Sequence, residues 1–212
     1  MGGGAVEGAL RGSAGDVRLI ETLLWDGARF PRLPLHLARL TAGAGALGFP
    51  CDPSAVQAAL AAATGPDALR VRLTLGPAGD VEVTVAPLPA GKAEWRLGLA
   101  GARLSSSDPW LRVKSTRRAA YEAARAALPE GIDEVVFQNE RGEVCDGAIT
   151  TVFFDRGQGM RTPPLSCGLL PGVLRAELAV PEAVLRAEEL PRVRLWVGNA
   201  LRGLIPAVWA GN

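Results

Sequence analysis

The sequence is poor in the residues that most often carry chemistry on their own. It contains one histidine, His36, and three widely spaced cysteines, none of them in a CxxC pair. A single histidine with scattered acids gives no metal-ligand spacing, so we predict no metal site. The cysteine spacing argues against a disulfide framework or a zinc knuckle. A cysteine–histidine nucleophile would have to use His36, and no local pattern supports it.

Long apolar runs and an excess of one charge are also missing. No run approaches the roughly 20 apolar residues that cross a bilayer, and the first residues lack the pattern of a signal peptide. With 23 Lys and Arg against 22 Asp and Glu, the net charge is +1, so no overall field favours nucleic acid or a membrane surface. We therefore expect a cytoplasmic protein without nucleic-acid or membrane partners.

What the sequence does contain is ample material for a core, since 48% of its 212 residues are hydrophobic. "DVRLIETLLWDGARFPRL" predicts a hairpin whose turn is Asp26–Gly27. "PLHLARLTAGAGALGF" and "DPSAVQAALAAAT" predict two helices, the second with Asp52 as N-cap before Pro53. "ALRVRLTLGPAGDVEVTVAPL" alternates apolar and polar residues around a Gly-Pro turn and predicts a second hairpin. We expect Cys51, Cys145 and Cys167 to be small, buried or half-buried residues.

The rest of the sequence mixes strands and helices without a regular alternation. "EWRLGLAGARL" predicts a strand that runs into a polar segment, where we place a boundary between a small N-terminal domain, residues 1–104, and a larger C-terminal domain, residues 105–212. Further strands are predicted at "DEVVFQN", "ITTVFFD", "VRLWVGN" and "LIPAVW", with a helix through about Leu128 and another from about Gly172. The pattern favours the α+β class with antiparallel or mixed sheets. No glycine motif supports dinucleotide binding.

One lysine stands out in "RVKSTRRAAYEAA". Only Lys92 and Lys114 are lysine in a chain that otherwise uses arginine. A lysine amine in a partly desolvated site can form a Schiff base with a carbonyl, so Lys114 is a candidate nucleophile. The alternative is a solvated lysine near the start of a helix, which composition alone favours. A nucleic-acid patch is the third interpretation, but no aromatic residues are interleaved with these basic ones.

Five segments, in order, carry a resemblance that decides among these interpretations. They are "ETLLWDGARFPRLPLHLARL", "KSTRRAAY", "NERGEVCDGAITTVFF", "TPPLSCGLLPGVLR" and "VGNALRGLIPA". Together they cover most of the chain, and they resemble the class IV aminotransferase family, the fold-type IV pyridoxal-phosphate enzymes. The resemblance implies a two-domain α+β fold like that of D-amino acid aminotransferase, in a shortened form. It also implies pyridoxal 5'-phosphate (PLP) as cofactor and a homodimer.

The resemblance assigns roles around the cofactor. Lys114 would hold PLP covalently and move protons as base and acid. The phosphate would be bound by the helix that begins near Pro171, through the amides of Val173 and Leu174, and by Arg39 of the "HLARL" segment.

The "CDGAITT" segment would supply further cofactor contacts. Asp146 stands where the family usually has Glu, and its carboxylate would keep the pyridine nitrogen protonated. Ile149 and Thr150 would also bind the cofactor, Thr150 through its hydroxyl, whereas Thr151 replaces the family's usual Asn. Tyr121 would reach the ring hydroxyl, or would simply pack in the core.

The closest resemblance is to 4-amino-4-deoxychorismate lyase-like members of the family. Such an enzyme takes an amine substrate, releases pyruvate and leaves 4-aminobenzoate for folate synthesis. Thr22 would then act beside Lys114 in catalysis, and Arg202 would bind a substrate carboxylate. Two alternatives stay open. One is an amino acid aminotransferase of the branched-chain or D-amino acid type, and the other is a degenerate member that binds PLP without efficient turnover.

Overall fold

The computed structural model describes residue 8 and residues 10–211. It divides the chain into two compact units. The first runs to Ala90 and also takes in Val113–Arg117, and the second comprises Gly91–Arg112 and the chain from Arg118 onward.

The first unit is a small sheet with helices. From the strand at Leu19 onward its elements are β1 (Leu19–Trp25), α1 (Leu33–Leu47), α2 (Pro53–Ala61), β2 (Leu69–Leu75) and β3 (Val81–Pro87). The strands form an antiparallel sheet in the order β1-β2-β3. Apolar residues of the helices and of the inner face of the sheet form its core, among them Leu40, Leu47, Val56, Leu60, Val71 and Leu73.

Both predicted helices and the second predicted hairpin are confirmed. The Asp52 carboxylate accepts a hydrogen bond from the amide of Ser54 at 2.9 Å, which caps α2 in the expected way. α1 ends at Gly48, which adopts the left-handed conformation with φ 74°. The signals at the ends of these helices depend only on neighbouring residues, and both helices predicted from the sequence are confirmed.

The first predicted hairpin is wrong, because β1 pairs with β2 and not with the residues that follow it. Asp26 and Gly27 do form a turn. The Asp26 carboxylate accepts hydrogen bonds from the amides of Ala28 and Arg29, at 2.9 and 2.8 Å. This side-chain turn leads into the start of α1 instead of a second strand.

The second unit is built on a mixed sheet in the order β6-β5-β4-β9-β8-β7. The pairs β4–β5 and β4–β9 are parallel, and the remaining pairs are antiparallel. Its strands and α-helices are β4 (Trp95–Leu104), α3 (Ala119–Ala126), β5 (Glu134–Asn139), β6 (Val144–Gly147), β7 (Thr151–Asp155), α4 (Val173–Leu178), β8 (Arg194–Asn199) and β9 (Gly203–Trp209). Short 3-10 turns lie at Pro109–Arg112, Leu165–Cys167 and Ala187–Arg192.

The α+β class with antiparallel and mixed sheets is therefore confirmed. The predicted strands and helices of the second half are all present, and the short strand β6 was missed. Core residues lie on both faces of the sheet, with Leu97, Val136 and Val152 in one cluster and Phe137 and Leu169 in the other.

Cys145 and Cys167 are buried and Cys51 is half-buried, all three as free thiols, as predicted. Burial raises the pKa of Cys167 to about 12 and also raises that of Cys145, so neither is a ready nucleophile. In the described part of the chain, none of the helices has the length and apolar character needed to cross a membrane.

The domain boundary falls earlier than the predicted position between residues 104 and 105. β4 belongs to the second unit, because it pairs with β5 and β9. The division therefore lies at Ala90, and the segment Val113–Arg117 returns to the first unit. The polar segment that suggested the boundary is a turn within the second unit.

Candidate active site

The loop between β6 and β7 is held by side chains of neighbouring strands. The Oε2 atom of Glu134 accepts hydrogen bonds from the amide of Ile149 and the hydroxyl of Thr150, both at 3.0 Å. From the other side, the Nδ2 atom of Asn199 donates to the carbonyl of Ile149 at 3.1 Å. Side chains of β5 and β8 thus fix the position of the loop, Gly147–Thr150, from both directions.

Arg118 and Gly147 complete this arrangement. The guanidinium of Arg118 donates to the carbonyl of Ala148 at 2.9 Å. A Cβ atom at Gly147 would lie 2.3 Å from Oγ1 of Thr150 and 2.9 Å from Oε2 of Glu134, so no other residue fits there without a shift. Burial raises the pKa of Glu134, although the bonds from the loop oppose the increase.

Asp146 and Tyr121 lie near each other next to this loop. Asp146 is buried on β6, and its Oδ2 atom accepts a hydrogen bond from the amide of Leu170 at 3.1 Å. Burial, and then the Asp146 carboxylate, raise the pKa of Tyr121 above its ordinary value. The Tyr121 ring packs edge-on against Phe137 with ring centres 5.0 Å apart. The phenol therefore stays protonated and can act as a hydrogen-bond donor.

α4 begins beside the same loop. Its N-cap, Gly172, is extended, and a Cβ atom there would lie 2.6 Å from Oγ1 of Thr151. Val173 and Leu174 are buried in the first turn of α4. Amides in a first turn have no acceptor within the helix itself. The predicted phosphate-binding residues of this unit therefore surround one loop.

Arg202 takes a different position. Its guanidinium lies 5.6 Å from the centre of the Trp95 ring, and its backbone amide donates to Oδ1 of Asn199 at 3.0 Å. Asn199 thus shapes the turn that carries Arg202 and also holds Ile149. The carboxylate-binding role of Arg202 stays a prediction.

In the first unit, Lys114 lies on an extended segment, not in the helix that follows it. Its carbonyl accepts a hydrogen bond from the amide of Ile20 at 2.9 Å, and Ser115 forms an antiparallel bridge with Leu19. Lys114 is therefore directly opposite Ile20 and shares its face of the sheet. Thr22 lies two residues farther along β1, on that same face. The structure thus brings Lys114 and Thr22 together, and both are half-buried.

Arg39 is held by a buried acid on the opposite face of β1. Glu21 accepts hydrogen bonds from Nε and a terminal nitrogen of Arg39 at 2.8 and 2.6 Å, and its distance to Nδ1 of His36 is 2.6 Å. Glu21 and His36 are each 2% exposed. Burial alone would raise the pKa of Glu21, but Arg39 and His36 outweigh it and lower that pKa. The single histidine therefore positions other groups and is not set up as a nucleophile.

Sequence reasoning missed Glu21, Glu134 and Asn199 as parts of the site. Each had a signal. Glu21 is an acid inside an otherwise apolar strand next to Thr22, Glu134 is an acid that begins "EVVFQN", and Asn199 ends a strand within a recognised motif. A buried polar residue needs partners, so such positions point to a network.

The residues present fit PLP by their chemistry. A buried carboxylate on Asp146 suits a protonated pyridine nitrogen, and the Tyr121 phenol suits the ring hydroxyl. The glycine cradle at Gly172, too close to Thr151 for any side chain, lets the backbone at the start of α4 approach a phosphate. Lys114 supplies the amine.

Comparisons with known proteins agree with this chemistry. A sequence profile of the amino-transferase class IV family matches residues 18–208. A protein of Schizosaccharomyces pombe, provisionally named an aminodeoxychorismate lyase, is 35% identical over 167 residues, which are 76% of this chain and 72% of that protein.

Two solved structures show the fold. One is a provisionally named amino-acid aminotransferase of Mesorhizobium loti, with a TM-score of 0.88 and 45% identity, in which 92% of this chain covers 100% of that chain. The other is a hypothetical aminotransferase of Mycobacterium tuberculosis with α-ketoglutarate and PMP bound, with a TM-score of 0.80, 24% identity, and coverage of 95% of this chain and 83% of that chain. The shortened length is thus shared with the first structure.

The family match spans most of the chain, and the fold agrees with it. The chain therefore belongs to the class IV aminotransferases, the pyridoxal-phosphate-dependent enzymes of fold type IV.

Proposed function

We propose that this protein is a PLP-dependent lyase that converts 4-amino-4-deoxychorismate to 4-aminobenzoate and pyruvate, a step of folate synthesis. The observation that carries the proposal is the 35% identity to the S. pombe protein over 76% of this chain. In this reaction the bond to the pyruvate-forming side chain breaks and a ring proton is lost. The ring becomes aromatic, which supplies much of the driving force.

In this proposal each predicted cofactor residue keeps the role that the resemblance assigns to it. Lys114 binds it covalently, and Asp146 and Tyr121 serve its ring. Its phosphate is bound by residues of the loop, the α4 start and α1, namely Ile149, Thr150, Val173, Leu174 and Arg39. When bound, PLP supplies an electron sink for the bond that breaks.

Lys114 is the proposed catalytic base and acid. Its Nζ atom takes the proton that the substrate loses and returns one where the reaction requires it. The Lys114 side chain is half-buried. Thr22, on the same face of the sheet, provides a hydroxyl that orients the substrate beside that amine.

Asp146 is the proposed carboxylate partner of the pyridine nitrogen. Its Oδ2 atom accepts a hydrogen bond from the Leu170 amide at 3.1 Å, which holds the carboxyl group in position. Because Asp146 is one methylene shorter than the usual Glu, its reach depends on the backbone of β6, which the clamped loop after it helps to fix. Glu134 and Asn199 contribute indirectly to this position, because they hold Ile149 and Thr150 of the loop in place.

An amino acid aminotransferase is the second candidate. It is favoured by the M. loti structure, whose name assigns that activity and which is 45% identical with full coverage of that chain. An aminotransferase must accept an amino acid and a keto acid in turn in one site. The proposed cofactor residues are the same for the lyase and the aminotransferase, so an assay of the substrate that is used distinguishes the two activities.

The deciding assay uses purified protein loaded with PLP and given 4-amino-4-deoxychorismate. We expect release of pyruvate and 4-aminobenzoate in equal amounts, and no release with the Lys114→Ala variant. Transfer of an amino group to 2-oxoglutarate, with no 4-aminobenzoate, would replace the lyase by the aminotransferase. Bound PLP with neither activity would identify a degenerate member of the family.

Two further properties belong to this proposal. We propose that the enzyme works in the cytoplasm as a homodimer. Sedimentation equilibrium of the PLP-loaded protein would then give twice the chain mass of 22.1 kDa.

A further inference from the structure

The face of the small sheet that carries Lys114 also carries an arginine with no assigned role. Thr22 on β1 is paired with Arg72 on β2 in the antiparallel register. Residues paired in this way lie on the same face with Cβ atoms about 5 Å apart. Arg72 therefore shares the face of Thr22 and Lys114, although its side chain is exposed.

Arg72 and its neighbour Arg18 differ in their contacts with acidic residues of the described part of the chain. No carboxylate within the described ranges, residue 8 and residues 10–211, lies within ion-pair distance of Arg72. Arg18, near the same face, is different. It binds the carboxylate of Asp80 at 2.6 Å and lies 3.5 Å from Glu82. The sheet therefore neutralises one arginine and leaves the one nearest Thr22 available to an anion.

The spacing suits a small molecule. Lys114 lies on the extended segment on one side of β1 and Arg72 on the strand on the other side, and the two are displaced by two residues along β1. Standard strand spacings then put their Cα atoms roughly 12 Å apart. Both side chains are long, so an amine near Lys114 and a carboxylate near Arg72 can belong to one substrate. Arg70 is paired with Leu24, two residues farther along β1 from Lys114.

We propose that Arg72 binds a carboxylate of the amine substrate through its guanidinium and so determines that the substrate is anionic. This inference rests on the proposed function, in which the substrate carries carboxylates. A guanidinium offers a planar pair of donors that matches a carboxylate. Thr22, between Arg72 and the Lys114 segment, faces the middle of the same molecule. The alternation in "LRVRLTL" is the sequence signal for this residue.

The test compares PLP-loaded wild type with Arg72→Gln, Arg72→Lys and Arg29→Gln. Arg29 is the matched control, because its side chain is 80% exposed and follows the end of β1. With 4-amino-4-deoxychorismate, Arg72→Gln should raise KM about 10- to 100-fold with little change in kcat. Arg72→Lys should recover part of the loss, and Arg29→Gln should match wild type. A KM for Arg72→Gln within twofold of wild type, or a loss confined to kcat, overturns the proposal.

A second measurement separates this proposal from the proposed function. If wild type releases no pyruvate, the lyase assignment fails. The role of Arg72 is then tested by calorimetric measurement of the affinity for 2-oxoglutarate, a dicarboxylate. Binding at least 10-fold weaker in Arg72→Gln than in wild type supports the carboxylate site. Equal binding by both proteins, or binding by neither, overturns it. The visible absorbance of bound PLP should be the same in all variants, which shows that cofactor binding is unaffected.

Discussion

At the scale of single residues, Glu21 shows how a buried acid is kept charged. Its carboxylate is 2% exposed and contacts two nitrogens of Arg39 and one of His36. Taking such a group out of water is costly, and the cost is offset only because every partner donates to it. The result is a guanidinium on α1 whose plane is fixed from β1. The phosphate-binding role of Arg39 stays a prediction.

Glu21→Gln tests this network through stability. We expect a loss of about 3 kcal/mol at neutral pH, because Arg39 loses a buried charged partner. The pKa of Glu21 is lowered from 4.5, so its stabilisation is present above pH 4.5 and is lost as pH falls through the lowered pKa. The difference between wild type and variant should therefore shrink below pH 4.5. Urea unfolding on both sides of that pH measures it.

Glu82→Gln is the control for this experiment. Glu82 is an exposed acid in the same unit, 3.5 Å from Arg18, and exposed pairs contribute little. Its profile should follow that of wild type. A Glu21→Gln difference that stays constant through acid pH would contradict a charged Glu21 in the folded state.

At the scale of elements, the loop between β6 and β7 is ordered by its neighbours more than by its own sequence. Glu134 on β5, Asn199 at the end of β8 and Arg118 before α3 each bind its backbone or side chains. The loop can therefore present Ile149 and Thr150 in one fixed conformation. Preorganisation of this kind lowers the entropic cost of binding a ligand.

Gly147→Ala should disturb that loop specifically. Its methyl group would lie 2.3 Å from Oγ1 of Thr150 and 2.9 Å from Oε2 of Glu134. Overpacking of this kind costs about 1–3 kcal/mol, and denaturant unfolding would show it. Gly101→Ala on β4 is the matched control, since no atom lies within 4 Å of its added Cβ. If both variants unfold at the same denaturant concentration, the loop is not tightly packed.

The helices, strands and turns differ in how accurately the sequence predicts them. The cap of α2 and the turn between β2 and β3 are local signals, and both were predicted correctly. The turn at Asp26 is local as well, but whether a strand or a helix follows it depends on what β1 pairs with. That partner, β2, begins 44 residues beyond the last residue of β1, from Trp25 to Leu69. β6 was missed because only four residues form it.

At the scale of the whole molecule, the features that the sequence did not predict depend on pairing between strands that are distant in the chain. Trp95 pairs with Ala207 and Leu97 with Glu134, so β4 joins strands from distant parts of the chain. No local sequence pattern indicates such a pairing, and the predicted domain boundary was misplaced for that reason. The motifs give residue types at fixed spacing and therefore name single residues. They named Lys114, Asp146 and Arg39, whose roles stay predictions, but not the buried acids Glu21 and Glu134.

We propose that Lys114 carries the cofactor, and this chain allows a direct test because Lys92 is its only other lysine. Lys92 binds the carboxylate of Asp133 at 2.7 Å in the second unit. The measurement is peptide mass spectrometry after PLP loading and borohydride reduction, which makes a lysine-bound cofactor permanent. We expect the cofactor mass on the peptide with Lys114 and none on the peptide with Lys92. Label on Lys92 alone, or on neither lysine, would contradict it.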